Sequence, residues 1–448
     1  MTELDAATVV DEDARYVLHS WSAQKKIHPI PVKTGHGVYF SDYEGNEYLD
    51  FASQLVNLNL GHQHPDLVQA IIDQAQTLAT IAPGFANDKR SELARLIVEN
   101  GPINDGKVFF TNAGADANEN AVRLAREFTG RSKVLASYRS YHGATGTAIA
   151  LTGEGRRTMQ PVVPDPSVVH FWGPFAYRSA FYAETPEQET ERSLAHLEQT
   201  ILSEGPDTVA AIILETVVGT NGVLVPPPGY LQGVREIATK YGIQYIADEV
   251  MVGFGRTGHL FAVQGFEVTP DLLTFAKGVN SGYSPLGGVI MNAAIAATFD
   301  ERKYSGGLTY SGHPLGSAIG VKTFEVLKRD RILEHVRELE STVLVPWLEQ
   351  MQAKHPSIGE FRVKGLFAAI ELVSDRETRA ALPAVEAGGE GNPLVAIEKA
   401  AIAKGLWPVV HGNRVHIAPP LIITADELKK GLDIIDETLS IADEAAQA

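Results

Sequence analysis

Past residue 106 the apolar positions of the chain keep changing period. Short, nearly unbroken apolar runs at 107–111, 133–137, 209–214, 244–247, 272–276 and 287–291 alternate with stretches such as 118–128, 191–202 and 230–241, where apolar residues return every three or four positions. The first pattern predicts strands buried on both faces and the second amphipathic helices. Their alternation predicts a mainly parallel sheet, an α/β fold. Upstream, the turn-rich segment 28–50 predicts a small antiparallel meander and 65–79 a helix. Residues 1–12 read as a loose acidic tail. After Pro314 the texture changes to a helix over 316–329, a longer one reaching 351, and a strand over 366–372. A glycine-rich loop over 386–392, a helix over 393–404, a strand over 414–417 and an amphipathic helix from 425 follow.

Two of the apolar runs end in a charge. Gln244-Tyr-Ile-Ala-Asp248 and Leu272-Leu-Thr-Phe-Ala-Lys277 would both place that charge at the carboxyl edge of the sheet, where ligands of open α/β folds collect. An ion pair at a sheet edge accounts for these two residues alone. It does not account for their company: Asn112-Ala113-Gly114-Ala115 between a strand and a helix, Tyr141-His142-Gly143, Glu215 at another strand end, and Thr309-Tyr-Ser-Gly-His-Pro314. The Gly114-Ala115 turn suits an anion, because a helix start offers unpaired N–H groups and a favourable dipole.

Composition narrows the function classes. The 448 residues can form a full core, and 44% apolar with 21% charged residues is ordinary for a globular protein. A formal charge of −17 argues against nucleic acid or an anionic membrane as partner. The chain has no cysteine, which removes disulfides and thiolate catalysis. No run approaches the roughly 20 apolar residues needed to span a bilayer, and the acidic N-terminus lacks the apolar segment of a signal peptide. A cytoplasmic protein is expected. His62 and His64 have no third ligand nearby and read as a loop before a helix, so no metal is expected. Gly253-Phe-Gly255-Arg-Thr-Gly258 matches the dinucleotide fingerprint, but the next segment is too short and glycine-broken for the required helix. It reads as a loop folded close under the site.

The ordered set Asp248-Glu-Val-Met-Val-Gly-Phe-Gly-Arg-Thr-Gly258 followed by Phe275-Ala-Lys277-Gly resembles the class III aminotransferases, with likeness over about 37–421. The resemblance implies the fold-type-I architecture: a large domain with a mainly parallel seven-stranded sheet over 59–318, and a smaller α+β domain from both chain ends, 1–58 and 319–448. It implies pyridoxal 5'-phosphate as cofactor. Lys277 would carry it and then move the proton, Asp248 would pair with the ring nitrogen, and Val250 and Tyr141 would lie against the two ring faces. His142 and Glu215 would order the surroundings, and Gly114, Ala115 and Thr309 would meet the phosphate. By the same resemblance Thr309 reaches the partner subunit's phosphate, so a homodimer or a dimer of dimers is expected. The family often has hydroxyl residues beside the glycine where this chain has Ala113 and Ala115, which shifts the load to backbone amides and Thr309.

The expected reaction moves an amino group from an ω-amino acid or amine, of the β-alanine, taurine or 4-aminobutyrate type, to pyruvate or 2-oxoglutarate. Amino-group migration, decarboxylation or racemisation on the same cofactor are alternatives, which need no second substrate. An inactive binding protein would have lost Lys277 or Asp248. The family's carboxylate-binding arginine falls at Val409 here, which makes Arg414, on the polar face of the 414–417 strand, the replacement candidate. Trp21, Ser22 and Phe85 lie in segments that line the substrate pocket of similar enzymes.

Overall fold

The computed structural model describes residues 4–159, 165–382 and 391–447. Near the N-terminus, Val32–His36 (β1), Tyr39–Asp42 (β2) and Glu47–Asp50 (β3) form the expected antiparallel meander. The central sheet holds Lys107–Thr111 (β4), Lys133–Ser137 (β5), Val168–Phe171 (β6), Val209–Glu215 (β7), Gln244–Asp248 (β8), Leu272–Phe275 (β9) and Gly287–Met291 (β10). Its spatial order is β4-β10-β9-β8-β7-β5-β6. Six strands share one direction and β10 alone is antiparallel to both neighbours. The alternation along β7 shows why the runs look continuously apolar. Ile212 and Leu214 enter the core on one face, while Ala211 and Ile213 enter the core on the other.

A third sheet, built from Ile358–Val363 (β11), Ala368–Asp375 (β12), Ala380–Ala381 (β13), Val409–His411 (β15) and Arg414–Ile417 (β16), follows the central one. Between its halves Leu406–Trp407 (β14) pairs in parallel with β3, so both ends of the chain share one sheet. Leu49, Phe51, Leu348, Leu372, Ile417 and Leu432 belong to one continuous core there.

Some expectations change. Ala6–Tyr16 is a helix rather than a loose tail, capped by the Asp5 carboxylate accepting from the Thr8 N–H at 2.8 Å. None of its residues is fully buried, and its short Ala-Val face is only half-buried. The edge strand β6 and the strand β11, each largely half-buried, were not expected for the same reason. The long helix toward 351 is two helices, Ile332–Leu339 and Val345–Lys354, joined by a π-type turn just before Pro346, whose ring nitrogen cannot donate. The glycine-rich loop lies outside the described residues except for Gly391 and Asn392.

The loop after β8 joins these parts. Arg256 is fully buried and donates to the carbonyls of Leu366 at 3.0 Å and Pro419 at 2.5 Å and to Ser53 Oγ at 3.1 Å. Burial pushes its guanidinium down to about 9. The helix that follows is only Ala262–Gly265, so the fingerprint-like loop serves as a tie between the central sheet and the terminal segments.

Candidate active site

Because β4, β5, β7, β8 and β9 run in one direction, the residues after them meet at one edge, and antiparallel β10 brings Ser284-Pro285-Leu286 to the same place. A cavity of about 600 Å³ opens there, its wall including Gly114, Ala115, Tyr141, His142, Glu215, Asp248, Val250 and Lys277. A second, of about 290 Å³, continues past Lys277. Tyr141, Thr220, Met251 and Lys277 line both. The structure thus gathers eight of the expected site residues on one wall.

Asp248 closes β8 in register with Glu215 of β7 and Thr274 of β9. It is 3% exposed, and three groups hold it. Oδ2 accepts from Asn118 Nδ2 at 2.8 Å and lies 2.7 Å from His142 Nδ1, while Oδ1 accepts from the Val250 N–H at 3.0 Å. Asn118 is itself fixed, accepting from Thr274 Oγ1 and donating to the His142 carbonyl, both at 2.8 Å. Sequence reasoning missed Asn118 as a site residue. The available signal was a buried-phase asparagine one turn after Gly114, among Ala117 and Ala121 on the apolar stripe.

Lys277 sits in left-handed backbone, φ +44, a conformation that ordinary side chains hold only where the surroundings enforce it. Burial pushes its amine down to about 8, against the pull of the Glu215 and Asp248 carboxylates. Glu215 accepts from the Tyr141 and Gly219 N–H groups, each at 2.8 Å, and burial lifts it to about 7. The neighbouring Glu249 points the other way. It accepts from Thr216 Oγ1 and from the Ala262 and Val263 N–H groups, and serves the loop.

The turn before the helix Gly114–Thr129 is packed to contact. A Cβ on Gly114 would lie 2.6 Å from Val250 Cγ1, and Ala113 supplies no side-chain cap. The first-turn amides are therefore open to an anion at the cavity wall. These features fit pyridoxal phosphate: an anion cradle, a buried carboxylate for the ring nitrogen, Val250 against the cradle, and an amine of lowered pKa for the aldehyde carbon. His142 Nε2 is buried and has no partner among the described residues, which leaves a polar contact for whatever fills the cavity.

The second cavity departs from expectation. Besides Lys277, the cation that lines it is Arg156, not Arg414. The Arg156 guanidinium lies 3.7 Å above the Tyr141 ring and 5.9 Å from that of Trp21. Its Nε pairs with Glu154, and its Nη2 is buried with no partner among the described residues. Arg414 borders neither cavity; it packs against Gly222, where burial and the arginines at 362, 178 and 139 lower its pKa despite Glu371. Strand alternation placed Arg414 and His416 on one face correctly, but the shorter side chain, His416, is the one that reaches the cavity. Trp21 and Val409 line it, and Ser22 does not. Phe85 and Thr309 are exposed and line neither cavity of their own chain. Their loops adjoin, since Arg90 donates to the carbonyls of Phe85 and Ser311. Among the described residues no cluster of three or more His, Asp or Glu side chains could hold a metal, and no helix is long and apolar enough to cross a membrane.

Residues 21–439 match the family model described as Aminotransferase class-III. The taurine:2-oxoglutarate aminotransferase of Bifidobacterium kashiwanohense, solved with pyridoxal phosphate and glutamate, is 41% identical, with 99% of each chain covered and a TM-score of 0.94. An ω-transaminase of Pseudomonas jessenii, solved with the pyridoxamine phosphate form of the cofactor, is 30% identical over 98% of each chain, with a TM-score of 0.91. The putrescine–pyruvate aminotransferase of Pseudomonas aeruginosa is 32% identical over 446 residues, 94% of each chain.

Proposed function

The chain belongs to the aminotransferase class-III family and is a pyridoxal-phosphate-dependent transaminase passing amino groups to a 2-oxo acid; we propose that its donor is an ω-amino acid with an anionic far end, taurine foremost, and its acceptor 2-oxoglutarate. The observation that carries this reading is Arg156. A buried guanidinium edge without a partner is costly unless a ligand supplies one. It lies along the cavity from Lys277, so a donor whose amine is at Lys277 can extend its sulfonate or carboxylate to Arg156. The likeness to the taurine aminotransferase supports the same donor and acceptor.

When bound, pyridoxal phosphate supplies a carbonyl that accepts the amino group and a ring that draws electrons from the carbon being deprotonated. The chain's own residues do the rest. With the cofactor bound, Lys277 Nζ, whose ammonium burial disfavours, would be the group placed to take a proton from the donor carbon and to return it. Asp248, held by Asn118 and His142, would pair with the ring nitrogen and keep it protonated. The amides of Gly114 and Ala115 take the phosphate. The 2-oxo acid enters by the same cavity, its far carboxylate reaching Arg156.

The active unit is a homodimer in which Thr309 completes the partner subunit's phosphate site. Supporting this, Thr309 is exposed and lines neither cavity of its own chain, and its loop adjoins that of the exposed Phe85 through Arg90. Mixing Lys277→Ala with Thr309→Ala subunits should regenerate one intact site per heterodimer; no recovery despite demonstrated mixing contradicts the sharing. For the substrate, incubation with taurine and 2-oxoglutarate should yield glutamate and sulfoacetaldehyde in equal amounts. Glutamate formation only from uncharged amines rejects the donor.

A further inference from the structure

β16 runs between β12 and β15, and its side chains alternate. Val415 and Ile417 enter the core of the terminal segments, and His416 faces the other way into the smaller cavity. There its cross-strand partner on β15 is Val409. Directly opposed side chains stand about 5 Å apart at Cβ. The position where related enzymes are expected to carry a carboxylate-binding arginine is thus beside His416, and a short valine stands there next to the imidazole, both lining the cavity. His416 is 4% exposed, and neither ring nitrogen has a partner among the described residues. Burial, with the Arg414, His411 and Arg362 charges nearby, pushes it down to about 3, so it is a neutral imidazole with one N–H to give.

We infer that His416 is a specificity-determining residue, donating one hydrogen bond to the anionic end of the donor that Arg156 holds. This rests on the Arg156 reading above and adds a choice between anions. A guanidinium fork engages two oxygens, which satisfies a planar carboxylate. A sulfonate has a third oxygen on another side, and a second donor from a different wall of the cavity serves it. His416 with Val409 therefore favours a tetrahedral three-oxygen anion over a carboxylate of equal charge.

The test compares holoenzyme variants with taurine and β-alanine as donors, and with ethanesulfonate and propionate as unreactive probes read by thermal shift. His416→Leu keeps the bulk and removes the donor, and should lower the taurine-to-β-alanine ratio of kcat/KM about tenfold, through KM rather than kcat. His416→Gln, which retains an N–H donor, should recover part of that ratio. Val409→Arg should turn the preference toward β-alanine. Ethanesulfonate should shift the wild type more than propionate does, and the difference should vanish in His416→Leu. Equal shifts by both probes in the wild type, or an unchanged donor ratio in His416→Leu with normal cofactor absorbance, overturn the inference. If taurine is not a donor while the ethanesulfonate preference depends on His416, the donor assignment fails and the role of His416 stands.

Discussion

The two cavities that meet at Lys277 are finished differently. On the cofactor side the carboxylates are held in place: Asp248 by three contacts, which leave acceptor capacity for the ring nitrogen, and Glu215 by two backbone donors, with His142 Nε2 the buried group still without a partner among these site residues. On the substrate side Arg156 Nη2 and both ring nitrogens of His416 have no partner among the described residues. Groups held by several contacts have little freedom to reorient, so the first wall keeps its cofactor contacts in one arrangement with little reorganisation during reaction. Unsatisfied buried donors are costly on their own, and a ligand of matching shape and charge removes that cost. One wall is built for position and the other for selection, and substitutions should separate the two.

Substitutions on the cofactor wall should have the largest effects. Lys277→Ala should abolish turnover with every donor, and borohydride treatment of the wild-type holoenzyme should leave its label on the peptide holding Lys277. Label on another lysine removes that assignment. Asp248→Asn should slow proton transfer by several orders of magnitude in single-turnover experiments, each ~1.4 kcal/mol of lost stabilisation being a factor of ten. Asn118→Ala, which touches Asp248 but neither donor nor acceptor, should cost about ten- to a hundredfold in kcat and spare donor preference. A change of preference in that variant would blur the division between walls.

On the substrate wall, Arg156→Ala should raise KM for taurine and β-alanine about a hundredfold and alter uncharged amines little. Arg156→Lys should recover only part, because a point charge does not reproduce the fork.

The smallest effect is on pH. Burial disfavours the Lys277 ammonium and brings it down to about 8, so the uncharged amine that can attach the cofactor increases as pH rises through that value. Attachment to apoenzyme should rise with a midpoint near pH 8 and level above it. The Glu215 carboxylate favours the ammonium, so Glu215→Gln should move the midpoint lower. An unmoved midpoint would mean the two groups do not feel each other.

Legibility in the sequence follows the same division. Asp248, Lys277 and Glu215 each break an apolar run at a strand end, and a charge there has few structural excuses. Gly114 stands at a strand–helix junction with its own turn chemistry. Residues of the substrate wall come from unrelated places: Trp21 before β1, Arg156 in a short helix, and His411 and His416 on the last hairpin. No local pattern distinguishes Arg156 from a solvated arginine, and its role appears only when the chain brings it over Tyr141. Charge and strand phase point to Arg414, yet phase fixes only the face, and the folded neighbours Gly222 and Glu371 decide where the side chain ends. The fold was readable wherever strands were buried on both sides. It was least readable at β6, β11 and the helix Ala6–Tyr16, which are at most half-buried over most of their length.

The central claim, that the smaller cavity selects donors by a distal anion, is tested most directly in the first half-reaction without acceptor. Wild-type and Arg156→Ala holoenzymes are mixed rapidly with taurine or with an uncharged amine of similar length, and the loss of the visible cofactor absorbance is followed. The structure predicts that the wild type reacts with taurine at concentrations about a hundredfold lower than Arg156→Ala requires, with nearly equal behaviour toward the uncharged amine. Indistinguishable concentration dependences for taurine in the two proteins would contradict it.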